Sequence, residues 1–299
     1  MENIIKDIPR YSDFVKIEHL NKGCGGDTKY YIEKSNGEKQ LIRVTGISEY
    51  DRKKIEFEMM KCASDTGVPM SIPVDFGICN GGMRVYSIFT WCEGEDVDMV
   101  LSNLSEDKQY ALGLEAGEIL RKINSIPAPA TQEDWAVKFA RRAKNIIQRY
   151  RSGSVKIDGG EKIIEYIENN RHLLEKRNQY FLHTDYHTGN IIIDKNYKLK
   201  IIDFSDYDFG DPYIEFVHMY WCSMHHPKFA VGCIDGYFKG KPPELFFRLW
   251  ACYVAAHALT SLYCANINDQ EDMSVALKES AYLLRCSDNM TNPAPTWYV

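Results

Sequence analysis

The sequence has no pair of cysteines spaced as C-x-x-C, although it contains nine cysteines. These cysteines are scattered along the chain, odd in number and partly embedded in apolar runs, where a free cysteine behaves as a small hydrophobic residue. A disulfide framework is therefore disfavoured, and a reducing compartment is favoured. The start of the chain, MENIIKDIPRYSDF, also lacks the cationic and apolar segments of a secretory signal. We therefore expect a cytoplasmic protein.

Basic residues do not outnumber acidic ones: 36 Lys and Arg stand against 42 Asp and Glu, for a net charge of −6. Binding to nucleic acid requires clustered basic residues against the phosphates, so a nucleic-acid partner is not expected. The most apolar segment, residues 249–265, lies at the short edge of membrane-spanning length and contains His257. A buried helix is therefore favoured over a membrane span. We expect a monomer with small-molecule ligands.

The first third of the chain alternates apolar and polar residues as β-strands do. A hairpin is predicted around Asn36 and Gly37, and a second one around residues 80–82, since Asn and Gly are typical of tight hairpin turns. Between the hairpins, residues 48–67 have helical spacing. The face of this helix that is predicted to be buried consists of Ile55, Met59, Met60 and Ala63.

Beyond about residue 104 the pattern changes to long helices. The first of these is predicted to begin after a Ser105 cap and to end before the PAPA segment at 127–130. Two more helical segments follow before the chain returns to short apolar strands. The sequence thus predicts an α+β protein with a small β-rich N-terminal lobe, residues 1–91, and a larger, mainly helical C-terminal lobe, residues 92–299.

The segment HTDYHTGN, residues 183–190, has the spacing H-x-D-x-x-x-x-N, and Asp203 ends the second of two apolar strands that follow it. In phosphoryl transfer a carboxylate accepts the proton of the attacking hydroxyl, and Asp185 is the candidate. Mg²⁺ needs oxygen ligands, which Asn190 and Asp203 would supply. An ordinary hairpin with polar turn residues is the alternative. The match at two independent spacings favours catalysis.

Together with the segment GDPYIEF at 210–216, these motifs resemble the aminoglycoside phosphotransferase family, the small-molecule branch of the protein-kinase-like fold. The resemblance covers most of the chain. It implies a two-lobed kinase-like fold and Mg²⁺-dependent transfer of the γ-phosphate of ATP or GTP to a small-molecule hydroxyl. The first candidate acceptor is an aminoglycoside-type antibiotic, which would make the protein a resistance enzyme.

The resemblance also assigns supporting residues around the two motifs. His183 would brace the backbone of the catalytic loop, and Asp211 would cap the segment that follows the metal-binding strand. Thr184 replaces the glycine that the family usually shows, and Ser205 replaces the glycine of protein kinases. Neither change removes a ligand atom.

On the nucleotide side, the segment NKGCGGDTKYY lies where the family has its phosphate-covering turn, and Gly25 and Gly26 would let backbone amides approach the phosphates. The chain has no G-K-[ST], so a P-loop is excluded. Arg43 stands where kinases carry a phosphate-binding lysine, and its guanidinium fork can also bind oxyanions. Glu56 on the following helix is its expected partner, with Glu58 as the runner-up.

The segment IFTWCEGED resembles the connector between kinase lobes that pairs with the purine base. Phe89 would gate the back of the nucleotide pocket, and the backbones of Thr90 and Cys92 would meet the base edge. Because these contacts involve the main chain, the sequence does not separate ATP from GTP.

Several alternatives stay open. Residues 216–234 contain no Asp or Glu, which weakens the case for a polycationic acceptor and leaves macrolides, choline and other amino-alcohols, and sugars as candidates. A catalytically silent kinase-like binding protein is the alternative from another functional class. His218, Cys222 and His226 lie four residues apart, as zinc ligands on a helix can, but a packed helix is favoured because no fourth ligand is evident.

Overall fold

The computed structural model describes residues 2–21, 26–268 and 270–299. These residues form two compact units. The first unit comprises the chain up to Val97 together with Asn190–Tyr207, and the second comprises Asp98–Gly189 and Asp208–Val299. An antiparallel sheet dominates the first unit and helices dominate the second, which confirms the predicted α+β class.

The described residues contain ten strands and nine α-helices. The strands are β1 Phe14–Leu20, β2 Thr28–Lys34, β3 Lys39–Gly46, β4 Pro73–Cys79, β5 Arg84–Thr90, β6 Glu95–Asp96, β7 Tyr180–Leu182, β8 Ile191–Ile193, β9 Leu199–Ile201 and β10 Asp208–Gly210. The helices are α1 Tyr50–Asp65, α2 Val97–Leu101, α3 Glu106–Ile123, α4 Trp135–Ser152, α5 Gly160–Asn170, α6 Met219–His225, α7 Pro227–Phe238, α8 Glu244–Asn268 and α9 Gln270–Cys286.

The first unit is built on an antiparallel sheet with the strand order β1-β2-β3-β5-β4. Both predicted hairpins are confirmed, and Gly37 and Gly82 adopt positive φ angles of 84° and 91° in their turns, which glycine does without steric cost. Side chains alternate between the two faces of a strand. One face carries the apolar core, which includes Tyr30, Ile32 and Ile42. The residues that alternate with these along β2 and β3 therefore lie on the opposite face of the sheet.

Helix α1 follows β3 and contacts β4 and β5. The predicted buried face of this helix is wrong in part, because Ile55 is 47% exposed. The helix instead buries two charged residues, Lys53 and Glu56, next to Phe57 and Met60. They are tolerated there because each has an oppositely charged partner, as described below.

A three-stranded sheet with the order β6-β8-β9 completes the first unit. An additional bridge joins Met70 to Ile201, and the backbone N–H of Ser71 donates to the carbonyl of Ile201. These hydrogen bonds explain why the unit extends to Val97 and includes Asn190–Tyr207, whereas the sequence predicts a single boundary after residue 91.

The second unit is mainly helical. Helices α3 and α7 approach closely, since a Cβ atom at Gly113 would meet the backbone at Phe229 and one at Gly236 would meet the backbone at Leu114. Within the described residues, only Glu244–Ala265 is long and apolar enough to cross a membrane by length and composition. However, 72% of its apolar window is buried inside the protein. This burial confirms the predicted buried helix.

Candidate active site

Hydrogen bonds to the Glu215 carboxylate hold the loop at residues 183–190 in place. The Glu215 carboxylate, 1% exposed, accepts hydrogen bonds from the backbone N–H groups of His183 at 2.6 Å and Thr184 at 2.8 Å, and from the side-chain amide of Asn124 at 3.1 Å. Burial raises the pKa of Glu215 to about 7, although these hydrogen bonds oppose the shift. His183 is fully buried, and its Nδ1 atom accepts a hydrogen bond from the Asp185 backbone N–H at 3.3 Å.

Thr184 adopts a left-handed backbone conformation with φ of 65°. This conformation is unusual for a β-branched residue. Glycine, which the aminoglycoside phosphotransferase family usually shows at this position, adopts it without steric cost. The hydrogen bond from the Thr184 N–H to Glu215 holds the backbone in place.

The Asp185 side chain is 38% exposed and faces two histidines of the same unit. Its Oδ1 atom lies 3.3 Å from Nε2 of His187 and 3.5 Å from Nε2 of His218. Burial opposes ionisation of Asp185, but the hydrogen bond from His187 and the neighbouring imidazoles hold its pKa well below its usual range. Asp185 is therefore an ionised carboxylate at neutral pH that is also accessible to solvent.

The two histidines next to Asp185 belong to a cluster of packed aromatic rings, which we call the histidine cluster: His187, His218, His257 and Trp221. The ring of His218 packs edge-on against His187 at 5.5 Å and His257 at 5.0 Å between centroids, and Trp221 packs against His187 at 5.6 Å. Burial lowers the pKa of His218 to about 3 and that of His257 to about 4. Both rings are therefore neutral at pH 7.

The sequence pattern assigns no role to His187 or His257, and for His218 it favours a packed helix over a zinc site. The structure directs the three zinc candidates to different partners: His218 to Asp185, Cys222 to the Thr188 hydroxyl and His226 to Asp98. Among residues 2–21, 26–268 and 270–299, no group of three or more His, Cys, Asp or Glu side chains could hold a metal ion. The one signal for His257 was its position within an apolar helix.

Asp211 caps the 3-10 helix Pro212–His218 by accepting a hydrogen bond from the Tyr213 N–H at 3.1 Å, as predicted. It is fully buried and also accepts from the Arg177 guanidinium and from the Tyr253 hydroxyl. These contacts fix the start of the segment that carries Glu215.

In the first unit, Arg43 is the centre of a buried ionic network. Its Nη1 donates to Glu56 at 2.8 Å, and its Nε donates to Asp27 at 2.9 Å. Lys53 donates to both of these carboxylates, at 2.8 Å to Asp27 and 3.0 Å to Glu56. Glu58 is exposed, so the structure pairs Arg43 with Glu56. Burial opposes ionisation of Asp27, but Arg43 and Lys53 hold its pKa below its ordinary value.

Asp203 lies two residues after the end of the β8–β9 hairpin and adopts φ of 62°. Its carboxylate accepts hydrogen bonds from the Ser205 hydroxyl at 2.8 Å and from Nζ of Lys29 at 2.9 Å. Burial opposes ionisation of Asp203, but Arg43 and Lys29 hold its pKa well below its usual range. The carbonyl of Asn190 accepts the N–H of Ile202 at 3.0 Å, so Asn190 and Asp203 lie at the same end of this hairpin.

The connector residues lie at the end of β5. Phe89 is buried, and the backbone N–H of Thr90 donates to the carbonyl of Ile72 at 2.9 Å. Because this N–H is already bonded, only the carbonyl oxygen of Thr90 remains for the predicted contact with the base. This oxygen accepts a hydrogen bond from Ser71 at 2.7 Å and has a second lone pair. Burial raises the pKa of the Cys92 thiol to about 11.

The structure describes only part of the glycine turn. Gly26 is exposed, and a Cβ atom at this position would have nothing within 4 Å. Gly25 lies outside the described residues. Three charged residues near this turn, namely Asp27, Lys29 and Lys53, were not predicted from the sequence. Asp27 directly follows the glycines, which was the available signal, whereas nothing local distinguished Lys29 or Lys53 from surface lysines.

Solved structures with the same fold include several antibiotic kinases. The ADP-bound aminoglycoside phosphotransferase APH(2'')-Ib is 19% identical with a TM-score of 0.63, covering 99% of this chain and 97% of that chain. A thermostable mutant of aminoglycoside phosphotransferase APH(4)-Ia, in a ternary complex with ADP and hygromycin B, is 16% identical with a TM-score of 0.67. The match covers 92% of this chain and 95% of that chain. An amicoumacin kinase in complex with AMP-PNP, Ca²⁺ and amicoumacin is 12% identical with a TM-score of 0.64, covering 93% and 90%.

These structural similarities confirm the predicted protein-kinase-like fold. No curated protein matches the sequence. The profile of the phosphotransferase enzyme family, in contrast, matches residues 16–248, which is more than half of the chain and includes both motifs. The chain is therefore a small-molecule phosphotransferase, and it belongs to the phosphotransferase enzyme family.

Proposed function

We propose that this phosphotransferase moves the γ-phosphate of ATP or GTP to a hydroxyl group of an aminoglycoside-type antibiotic, in a reaction that requires Mg²⁺. The observation that carries the proposal is the Asp185 carboxylate, which is 38% exposed and whose pKa lies well below its usual range. In phosphoryl transfer such a carboxylate aligns the attacking hydroxyl and accepts its proton. His183 acts as a positioning residue, because its ring nitrogen accepts the backbone N–H of Asp185.

The chain's own residues fit a magnesium site. Asp203 is an ionised oxygen ligand, and Asn190, which has an amide oxygen, lies at the same end of the β8–β9 hairpin. Mg²⁺ prefers such oxygen ligands and usually binds through one or two protein groups and the phosphates. The ion, when bound, neutralises charge on the phosphate oxygens. Asp203 and Asn190 would hold it in the first unit.

The nucleotide side of the proposal rests on the ionic network and on the connector. Arg43 and Glu56 form a buried ion pair on the strand and helix where kinases place their phosphate-binding pair. The proposed base contacts are the carbonyl oxygen of Thr90 and the backbone of Cys92, with Phe89 behind them. The glycine turn, with Gly25 and Gly26, would cover the phosphates. The nucleotides named with the similar structures, ADP and AMP-PNP, support a nucleotide donor.

A second candidate acceptor is a small molecule with few positive charges, such as a macrolide, an amino-alcohol or a sugar. The histidine cluster favours it, because His218 and His257 are neutral and Trp221 offers an apolar surface. Residues 216–234 add no carboxylate that could bind an ammonium group. A polycationic acceptor would have to rely on Asp185 and on acids from other segments.

Transfer of labelled phosphate tests both candidates. The purified chain is incubated with γ-³²P-labelled ATP or GTP and a panel of aminoglycosides, macrolides, amicoumacin, choline and sugars, with Mg²⁺ or with EDTA. We expect Mg²⁺-dependent label on one class of acceptor. Label on a macrolide, choline or a sugar, with none on the aminoglycosides, would select the second candidate. Nucleotide binding by calorimetry with no label on any acceptor would contradict both and favour a catalytically silent binding protein.

A further inference from the structure

Two cationic side chains lie directly opposite each other on the sheet of the first unit. Lys29 of β2 pairs in register with Arg43 of β3, and Arg43 pairs with Ser87 of β5. Directly paired residues project from the same face of a sheet. Lys29 and Arg43 are therefore neighbours on the face opposite the apolar core, and either of them could meet a phosphate there by charge alone.

The two cations differ in what already surrounds them. The Arg43 side chain is 6% exposed, and its guanidinium donates to both Asp27 and Glu56. Lys53 adds a second positive charge to the same two carboxylates. This group of four therefore balances two positive charges with two negative ones. Arg43 could turn to a phosphate only by leaving a buried carboxylate short of a partner, which is strongly unfavourable.

Lys29 stands outside this balanced group. Its Nζ atom donates to Oδ2 of Asp203 at 2.9 Å, and its side chain is 15% exposed. Asp203 is also the proposed metal ligand, whereas Nη1 of Arg43 is 3.7 Å from its other oxygen. With Asp203 as a ligand to the metal, the ammonium of Lys29 would lose its carboxylate partner and could turn to the phosphate oxygens. A lysine has three donors on a flexible stem, so it can follow the phosphate oxygens.

We infer that Lys29, and not Arg43, is the side chain that contacts the phosphate oxygens of the bound nucleotide. Arg43 is then a positioning residue that fixes Asp27 and Glu56. The phosphate-binding cation is thus displaced by one strand, from β3 to β2, within the same row of the sheet. This inference rests on the proposed function, because it presupposes that the chain binds a nucleotide.

An acyl-phosphate derivative of the nucleotide tests the inference on the unaltered protein. A lysine amine near the phosphates attacks the acyl carbon, an amide bond forms, the bond from the acyl carbon to the phosphate oxygen breaks, and the free nucleotide leaves with the electron pair. The amine proton passes to solvent. Mass spectrometry then locates the label with and without excess ATP or GTP. We expect nucleotide-protected label on Lys29.

Protected label on Lys53 or another lysine, without label on Lys29, would overturn the inference while the proposed function stands. Absence of any protected label, together with no nucleotide affinity by calorimetry, would overturn both. Since the two failures give different results, one experiment separates them.

Two matched variants provide a second measurement that does not use turnover. Lys29→Met is compared with Lys34→Met, which lies on the same strand and also pairs with a carboxylate, Glu38 at 3.2 Å. Calorimetry gives the affinity for the triphosphate and for the free nucleoside. We expect Lys29→Met to weaken triphosphate binding about 10- to 100-fold, as for loss of a hydrogen bond to a charged group, with nucleoside binding unchanged. Lys34→Met should change neither affinity.

Arg43→Gln completes the comparison. Loss of a phosphate ligand lowers the triphosphate affinity relative to the nucleoside affinity, whereas loss of a positioning residue does not change this ratio. If Arg43 only positions its neighbours, the ratio of triphosphate to nucleoside affinity should stay near the wild-type value in Arg43→Gln, even where both affinities fall. A fall in that ratio for Arg43→Gln, with an unchanged ratio for Lys29→Met, would overturn the inference.

Discussion

Asp185 is the proposed general base, because its charge is maintained while its carboxylate stays accessible. We expect Asp185→Asn to lower kcat by about 10²–10⁴-fold, the usual contribution of a general base. Asparagine keeps the shape of the side chain but does not accept the hydroxyl proton. The change should appear in kcat more than in the KM for the nucleotide, because proton transfer occurs on the way to the transition state. Steady-state kinetics with the acceptor found in the panel measures it.

The exposed Asp158 provides the control for this variant, since Asp158→Asn makes the same chemical change away from the catalytic loop. It should leave kcat unchanged. Equal kcat values for Asp185→Asn and the wild type would remove Asp185 from the reaction.

Asp203 makes a different prediction, which concerns metal dependence. Asp203→Ala should abolish the increase in nucleotide affinity that Mg²⁺ produces and lower turnover by about 100-fold or more, since a catalytic metal supplies several kcal/mol. Nucleotide binding in EDTA should persist, and circular dichroism should be unchanged. Calorimetry with and without Mg²⁺ measures this, with the exposed Asp206→Ala as control. A wild-type response to Mg²⁺ in Asp203→Ala would exclude Asp203 as a ligand.

Glu56 and Glu58 form a natural pair for a stability measurement. Glu56 is 2% exposed and accepts hydrogen bonds from Arg43 and Lys53, whereas Glu58 is exposed. Removing one partner of a buried ion pair costs about 3–5 kcal/mol. Glu56→Ala should therefore lower the free energy of unfolding in urea by this amount. Glu58→Ala should change it by less than about 0.5 kcal/mol. Similar unfolding curves for both variants would contradict the network described here.

At the scale of single residues, motif spacing makes Asp185, Asn190 and Asp203 candidates, because each has a fixed position relative to an apolar strand. Spacing carries no information about Lys29, which is 174 residues away from its partner Asp203. His257 reaches the histidine cluster in the same way, from a helix distant in sequence. Such contacts depend on the packing of whole elements, so a single sequence does not reveal them.

Among the elements, the loop at residues 183–190 stores strain at Thr184. A left-handed conformation costs a residue other than glycine about 1–2 kcal/mol. Glycine avoids this cost, but it increases the conformational entropy of the unfolded chain, which lowers stability by a smaller amount. Thr184→Gly should therefore change the free energy of unfolding by no more than about 1 kcal/mol and retain activity. Urea unfolding and the phosphate-transfer rate measure the two effects.

Thr188, in the same loop, serves as the matched control. It is fully buried, and its hydroxyl donates to Asp98 at 2.8 Å, while its φ angle is not in the left-handed region. Thr188→Gly should destabilise the protein by about 1–3 kcal/mol, because it removes the buried threonine side chain and its hydrogen bond to Asp98. A larger loss for Thr184→Gly than for Thr188→Gly would show that the threonine side chain at 184 has a role of its own.

The existence of most elements was predictable, because their signals are local. Asn and Gly mark the two hairpin turns, and Ser105 precedes α3 as expected, although its side chain makes no capping hydrogen bond. The orientation of α1 was not predictable from apolar periodicity, because Lys53 and Glu56 are buried by ion pairs and Ile55 is exposed. Periodicity fails where burial is stabilised by charge.

For the whole molecule, the order of strands and helices together with two motifs was enough to predict the fold class. The division into units was not, since Asn190–Tyr207 joins the first unit through pairing with β6 and Met70. A hairpin that follows the catalytic loop in sequence has no local mark of the unit it belongs to. Its hydrogen bonds decide the assignment.

Stability of the whole protein in acid should depend on the buried histidines. Burial lowers the pKa of His257 to about 4, and the groups facing it are His218, Tyr220 and Asp185. Since the unfolded chain binds this proton near pH 6.5, the stabilisation from the neutral ring is complete above that pH and is lost as pH falls towards 4. Between pH 7 and 5 the loss is about 2 kcal/mol, at about 1.4 kcal/mol per pH unit.

We therefore expect the wild-type free energy of unfolding in urea to fall between pH 7 and pH 5 by about 2 kcal/mol more than that of His257→Asn, whose side chain does not titrate. The exposed His172→Asn removes an imidazole from the surface and should follow the wild-type curve. Comparing slopes removes any constant effect of the substitution on stability, because such an effect shifts the whole curve equally. Parallel curves for His257→Asn and the wild type would mean that His257 is not held neutral by burial. The support that a neutral His257 gives to an acceptor with few positive charges would then have to be abandoned as well.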